Sequence, residues 1–424
     1  MLNRLKPKSE FSRNVLTLMT GTTIAQAIPI AISPILTRIY TPEDFGVFAL
    51  YMSVASLLSV MATGRYELAI MLPKKDEDAI NIVALSILIA FFVSFISFLI
   101  VFIFNAQITN LLGNPEISSW LYFIPITVLL TGIYQSFNYW SNRKKQYKRL
   151  ATSRVVQSGT TSASNLAMGF GGFGSSGLIL GGVLGQVVAT WILGTRIFKS
   201  DLELFKKSVN SLKIFALIKK YIKMPMLNLP NAVIDGFRLS GITILIAKYF
   251  TVASLGQFSL AWKMLQMPMS LIGSSISQVF FQKIASSKKS ELYYLVKQFI
   301  VKASLSILPV FIVIYFFSVD IFSFVFGEKW KIAGEIASVL SPWIFINFIS
   351  SPIANVFIIL NKQEIVLYAS IVYMIVPIFI LFLFNDFGFM EVVNLISLSM
   401  SVILIFYILT SLIIFKQGKP NDTQ

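Results

Sequence analysis

Apolar residues run along this chain in blocks of about twenty, separated by short polar and basic stretches. A helix that crosses a bilayer needs about 20 mostly apolar residues. Twelve such blocks are readable, at 14–37, 45–66, 79–104, 120–140, 151–173, 177–198, 224–247, 254–282, 299–317, 336–360, 365–384 and 391–415. Blocks 3, 4, 9, 11 and 12 are nearly free of charge. Block 7 is the most polar, with Asn228, Asn231, Asp235 and Arg238. The pattern predicts an all-α integral membrane protein with twelve transmembrane helices and no folded soluble domain.

The basic residues test that count through the positive-inside rule. With the N-terminus inside, only Arg38, Lys248, Lys329 and Lys331 fall outside, and Arg238 and Lys263 fall within spans. The other 29 of 35 lie on the inner side. Dropping block 7 alone would turn the Lys283–Lys302 loop outward, so the asymmetry retains it. Both termini are therefore expected in the cytoplasm. The first apolar run is too long for a signal-peptide core and reads as a retained span.

Composition narrows the chemistry. Charged residues make up 13% of the chain and hydrophobic ones 56%, with a mean hydropathy of +0.76. A soluble domain carries about 25% charged residues, so an ordinary cytosolic enzyme is excluded. Cysteine and histidine are both absent. That removes disulfides, thiol nucleophiles and nearly all zinc chemistry, along with the usual general base. The net charge of +16 reads as a topology signal and a contact with lipid headgroups, not as a nucleic-acid surface. Segment 199–223, with six lysines beyond Lys199 among Leu, Phe and Ile, predicts a basic amphipathic helix on the cytoplasmic leaflet. It divides the chain into an N-terminal bundle (1–205), a linker (206–223) and a C-terminal bundle (224–424).

The two halves resemble each other. At a shift of 210 residues, RIYTPEDFGVFALYM (Arg38–Met52) meets KYFTVASLGQFSLAW (Lys248–Trp262). Thr41 then matches Thr251, Gly46 matches Gly256, Phe48 matches Phe258 and Leu50 matches Leu260. Six spans per half leave the halves parallel, an arrangement found in transporters whose substrate site lies at the repeat interface.

Polar residues fall on one face in four corresponding spans. Span 7 carries Asn228, Asn231, Asp235 and Arg238, and span 8 carries Lys263, Gln266, Ser270, Ser274 and Ser277 at helical spacing. Span 1 has Thr22, Gln26, Pro29, Ser33 and Thr37, and span 2 has Ser53, Ser56, Thr63 and Glu67. Counting from the outer ends, Arg238 and Lys263 lie roughly 15 Å deep, near the middle of a core about 30 Å thick. A charge there needs a partner or water. The stripes therefore predict either a hydrated cationic cavity or polar contacts between helices, with Asp235 paired to Arg238 one turn away. Arg65, at the cytoplasmic mouth of span 2, reads as a substrate contact or a snorkelling interfacial arginine. Gly177, Gly181 and Gly185 have the small-residue spacing that lets helices approach closely.

Three blocks carry a family resemblance: Thr37–Ile82, Tyr139–Ser158 (YWSNRKKQYKRLATSRVVQS) and Met267–Ser286 (MPMSLIGSSISQVFFQKIAS). The chain resembles Wzx-type O-antigen and polysaccharide flippases of the multidrug/oligosaccharidyl-lipid/polysaccharide exporter superfamily. The resemblance implies two six-helix bundles around a central cavity in the bacterial inner membrane. It also implies flipping of undecaprenyl-pyrophosphate-linked oligosaccharide units, of O-antigen or capsule type, by alternating access. Arg238, Lys263 and Arg65 match the family's cationic cavity, and Asp235, Asn231, Asn228, Gln266, Gln26 and Glu67 are the polar or coupling candidates. No cofactor is expected, and any coupling would be to protons or sodium ions. The expected partners are the lipid-linked oligosaccharide, membrane lipids and the polysaccharide polymerase machinery. Two alternatives stay open: a drug/cation antiporter of the same superfold, and a membrane polysaccharide polymerase.

Overall fold

A computed structural model describes residues 10–285, 287, 291–360 and 362–417. The basic residues Arg4, Lys6, Lys8, Lys288, Lys289 and Lys419, and both chain ends, lie outside the described residues. The elements in order are α1 (Glu10–Ile39), α2 (Pro42–Ser59), a 3-10 turn (Tyr66–Met71), α3 (Asp76–Leu112), α4 (Ile117–Leu121), α5 (Ile124–Arg143), α6 (Tyr147–Phe170), α7 (Ser175–Ser208) and α8 (Ser211–Lys220). They continue with a π turn (Met224–Asn228), α9 (Leu229–Tyr249), α10 (Val252–Ala285), α11 (Leu292–Phe326), α12 (Lys331–Ser350), α13 (Ala354–Ile359), α14 (Gln363–Leu383) and α15 (Phe389–Gln417). Among the described residues there is no strand, and nine helical segments are long and apolar enough to cross a membrane. The chain is a multi-pass helical membrane protein. Each of the twelve apolar blocks falls largely on helix. Those on α2, α6 and α10 are not among the nine, in keeping with the Ser, Thr and Gln along them.

The chain divides into two units, one ending at Lys248 and the other beginning at Tyr249. In the first, α3, α5, α7 and α8 enclose a core that includes Ile80, Val83, Trp140 and Leu193. In the second, α10, α11, α13 and α15 enclose Phe280, Val296, Phe357 and Phe415. The repeat is visible within each. In the first unit Thr41 caps α2, its Oγ1 accepting from the Asp44 N–H at 3.2 Å, and Asp44 closes a capping box. In the second Thr251 caps α10, its Oγ1 accepting from the Ser254 N–H at 3.1 Å. The matched Leu50 and Leu260 are both fully buried.

Polar side chains satisfy what prolines and glycines leave open. Pro29 inside α1 frees the Ala25 carbonyl, and Ser158 of α6 donates to it at 2.6 Å. Pro342 inside α12 frees the Ser338 carbonyl, which accepts from Ser341 Oγ at 2.8 Å. Along α7, a Cβ at Gly177, Gly181 or Gly185 would press on Tyr40, Asn165 or Thr161. These glycines are close-packing positions.

Segment 199–223 forms two pieces instead of one helix. α7 runs on to Ser208, the chain extends through Val209, and Asn210 caps α8 through the Leu212 N–H. Buried Asn81 of α3 holds the joint, donating to the Ser208 carbonyl at 2.8 Å and accepting from the Asn210 N–H at 2.9 Å. Leu217 of α8 is buried with Ile214 and Ile218 packed on the same core, while Leu212, Phe215, Lys219 and Lys220 stay exposed, so α8 sets one apolar face on protein and turns two large apolar side chains outward with its lysines.

Candidate substrate site

The first correction concerns span 2, where the sequence predicts one helix over 45–66. α2 stops at Ser59, and the chain turns through Gly64 (φ 57°) and Arg65 (φ 63°). An arginine in this left-handed region is uncommon, and the reversal needs both positions. Ser53, Ser56, Thr63 and Glu67 therefore do not share a continuous helical face. The turn instead brings Thr63 and Glu67 together, with Thr63 Oγ1 donating to Glu67 Oε2. Arg65 folds onto the same carboxylate, its guanidinium 3.4 Å from Glu67 Oε1. Glu67 is buried, whereas Arg65 keeps 31% side-chain exposure. Its Nε has no hydrogen-bond partner among the described residues.

Arg65 and Glu67 line a cavity of about 340 Å³, together with Ser56, Thr131, Gln135 and Tyr139. Its polar groups are hydroxyls, an amide, one half-open guanidinium and the Glu67 carboxylate that faces it. Such a site can hold an anion beside a hydroxyl-rich group. The α5 contribution was missed in the sequence. Thr127, Thr131, Gln135 and Tyr139, four residues apart and all lining this cavity, form a single stripe. The stripe is neutral, and a search led by charge passes over it.

The α9 stripe has a different setting. Gly236 faces Leu57 of α2 and Val60 just past its end, and Ser240 Oγ lies 3.2 Å from Ser56 Oγ. At 100° per residue, Asn231, Asp235 and Arg238 fall on the opposite side of α9 from that packed face. Asp235 Oδ1 is 3.4 Å from the Arg238 guanidinium, with 68% and 33% of their side chains exposed. Asn231 is exposed, and Asn228, in the π turn, donates from Nδ2 to Met224 Sδ at 3.4 Å. A charged pair at this depth needs water. Of the remaining candidates, Gln26 on α1 is half-buried, and its Oε1 has no partner among the described residues. Its neighbour Thr22 accepts from Arg154 of α6 at 2.7 Å, which ties that end of the α1 stripe to helix packing. Lys263, exposed, and Gln266, half-buried, sit on α10 in the second unit. No ion pair involves Lys263 among the described residues.

An all-helical chain with an internal repeat and charged residues deep in its spans has the makings of a membrane transporter. Comparison with known proteins adds a family and a fold. The chain belongs to the polysaccharide biosynthesis protein family, whose profile matches residues 35–335. Its fold is shared with a multidrug resistance MATE family transporter of the MOP superfamily in an inward-facing conformation. That match has a TM-score of 0.70 and 14% identity, over 95% of this chain and 96% of the other. The lipid II flippase MurJ, inward closed, matches with a TM-score of 0.72 and 14% identity, over 95% of this chain and 90% of the other. A MOP superfamily transporter from Pyrococcus furiosus, described by the reversed polarity of its binding pocket, matches with a TM-score of 0.61 and 14% identity, over 96% of each chain. No curated protein sequence matches. The protein is a multi-pass membrane member of the polysaccharide biosynthesis protein family with the fold seen in these transporters.

Proposed function

We propose that this protein flips undecaprenyl-pyrophosphate-linked oligosaccharide units, of the O-antigen or capsule type, across the bacterial plasma membrane by alternating access. The observation that carries the reading is the Arg65 cavity. It offers one guanidinium on a side chain that keeps 31% exposure, beside hydroxyl and amide groups. A pyrophosphate joined to a sugar asks for that combination, and neither group crosses hydrocarbon unaided. Membership of a polysaccharide biosynthesis family supports the substrate class, as does the fold shared with a lipid II flippase. Translocation alone, without catalysis, is what this chemistry supports. All twelve spans cross the membrane in this reading, with both termini cytoplasmic.

The antiporter alternative draws on Glu67, an acid lining the same cavity. That carboxylate already accepts from Thr63 and faces Arg65, so it offers little to a cationic drug. In cells lacking the protein, lipid-linked repeat units should accumulate on the cytoplasmic leaflet and the surface polymer should vanish. Normal polymer with altered drug resistance would favour the antiporter. The topology is tested separately. The chain has no cysteine, so one introduced at Ser287 should resist an impermeant thiol reagent in intact cells, and rapid labelling there would overturn the orientation.

A further inference from the structure

A second pair of cavities lies within the second unit, apart from the polar stripes. One, of about 370 Å³, is lined by Phe280 and Lys283 of α10 and by Gln298, Phe299 and Lys302 of α11. The other, of about 430 Å³, continues along α11 past Ile307 and Val310 to Phe348 of α12. Both share Ile276, Phe299 and Lys302, so they form one groove in two lobes. Phe280 and Phe299 stack at 4.3 Å between ring centroids and wall the groove where α10 meets α11. Each lobe has the size of a small-molecule site.

The lobes differ in chemistry. The first is lined by Lys283, Gln298 and Lys302 on a wall that is otherwise apolar. Among the described residues lining the second, the only polar one beyond Lys302 is Ser306, whose hydroxyl donates to the Lys302 carbonyl at 2.8 Å. That bond turns the hydroxyl toward its own helix and leaves the lobe apolar. Lys283 directly follows the span at 254–282, and Lys302 lies in the first turn of the span at 299–317. Both long side chains reach headgroup level from there. The positive-inside asymmetry assigns that end to the cytoplasm.

We propose that this groove binds an anionic phospholipid of the cytoplasmic leaflet, its phosphate between Lys283 and Lys302 and one acyl chain in the lobe that ends at Val310 and Phe348. Length selects this occupant. From Lys302 to Val310 is eight residues, about 12 Å along the helix, and one leaflet of hydrocarbon is roughly 15 Å deep. An acyl chain fills such a lobe, whereas an eleven-isoprene polyprenyl chain is several times too long. The two lysines supply the charge complementarity that separates an anionic headgroup from a zwitterionic one. The inference does not depend on the identity of the transported substrate.

The test uses the purified full chain in detergent, with phosphatidylglycerol, phosphatidylcholine or polyprenyl phosphate added. Binding is read by native mass spectrometry and by the shift in melting temperature. Phosphatidylglycerol should bind and stabilise, and phosphatidylcholine should not. Each of Lys283→Gln and Lys302→Gln should weaken phosphatidylglycerol binding about five-fold, and the pair roughly thirty-fold. Lys329→Gln with Lys331→Gln, at the opposite end of the second unit's spans, removes the same charge away from this leaflet and should change nothing. Val310→Trp keeps both lysines and fills the chain lobe, so it should also weaken binding, and it decides the matter should the double lysine variant fail to fold. Undiminished phosphatidylglycerol binding by Val310→Trp or by the folded double variant would overturn the proposal. So would equal binding of phosphatidylcholine, or polyprenyl phosphate binding more tightly and displacing phosphatidylglycerol.

Discussion

Two acid–base pairs in the first unit have the same separation and opposite settings. Arg65 and Glu67 lie 3.4 Å apart with Glu67 buried, and Arg238 and Asp235 lie 3.4 Å apart with Asp235 68% exposed. The first pair is made by a chain reversal at Gly64 and Arg65, the second by one turn of regular helix. An exposed pair one turn apart gains a few tenths of a kcal/mol, since water screens and competes. A buried carboxylate depends on its partners, because losing one leaves an uncompensated charge. Equal distances thus conceal unequal commitments. Glu67 is part of how the turn folds, and Asp235 is free to serve another end.

The sharpest way to break this contrast is to remove each acid in turn. Glu67→Ala leaves Arg65 without its anion and Thr63 without its acceptor. It should cost about 3 kcal/mol, the low end for a broken buried pair because Arg65 keeps some exposure. Membrane protein level and the melting temperature of the purified chain read this out, with transport falling as well. Asp235→Ala should change stability by well under 1 kcal/mol. Equal losses from the two variants would mean that the burial difference carries no energy.

A smaller effect separates backbone from charge. Gly64→Ala leaves both Arg65 and Glu67 in place but forces a side chain into φ 57°, at about 1–2 kcal/mol. If the turn positions Arg65, transport should fall in step with that cost, as measured by surface polymer at matched protein level. Full transport by a destabilised Gly64→Ala protein would show that the guanidinium reaches its place without the turn.

The sequence made the helices legible because their signal is long. Twenty apolar residues cannot be read as much else, and the capped turns at Thr41 and Thr251 repeat at a fixed shift. The break in span 2 was hidden because Val60, Met61 and Ala62 continue the apolar run through the end of the helix, and a single glycine before an arginine is a weak signal. The sequence therefore places Thr63 and Glu67 on one helical face with Ser53 and Ser56, whereas a tight turn brings the two together. The α9 stripe was legible as a face, since Asn228 to Arg238 follow helical periodicity without interruption. Its orientation away from α2 was not, because Gly236 and Ser240 mark the packed side only once α2 lies against them. The Asn81 clamp was equally silent, being a single asparagine that joins Ser208 and Asn210, more than a hundred residues away in sequence.

The smallest expected change in stability belongs to α9, where the functional contrast is largest. Arg238 and Asp235 cost little to remove, so a loss of transport on removing them cannot be blamed on folding. If Arg238 on α9 and Lys263 on α10 each meet the pyrophosphate, each contributes a charge-assisted hydrogen bond, and losing either should weaken substrate binding by about 1.5–3 kcal/mol. Arg238→Lys and Lys263→Arg should lose less than the alanine variants. Asp235→Asn then divides two roles. A carboxylate that only steadies Arg238 leaves transport weaker at every pH when it becomes an amide. One that carries a coupling proton leaves transport independent of the proton gradient. Helix–helix glue predicts a third pattern, in which Arg238→Ala and Asp235→Ala each lower protein level and the doubly neutral variant restores it with transport intact. Surface polymer and membrane protein level, measured together, distinguish the three. Full transport at normal expression by Arg238→Ala combined with Lys263→Ala would remove both cations from the substrate path and leave Arg65, in its turn, as the only one of the three still assigned to the anion.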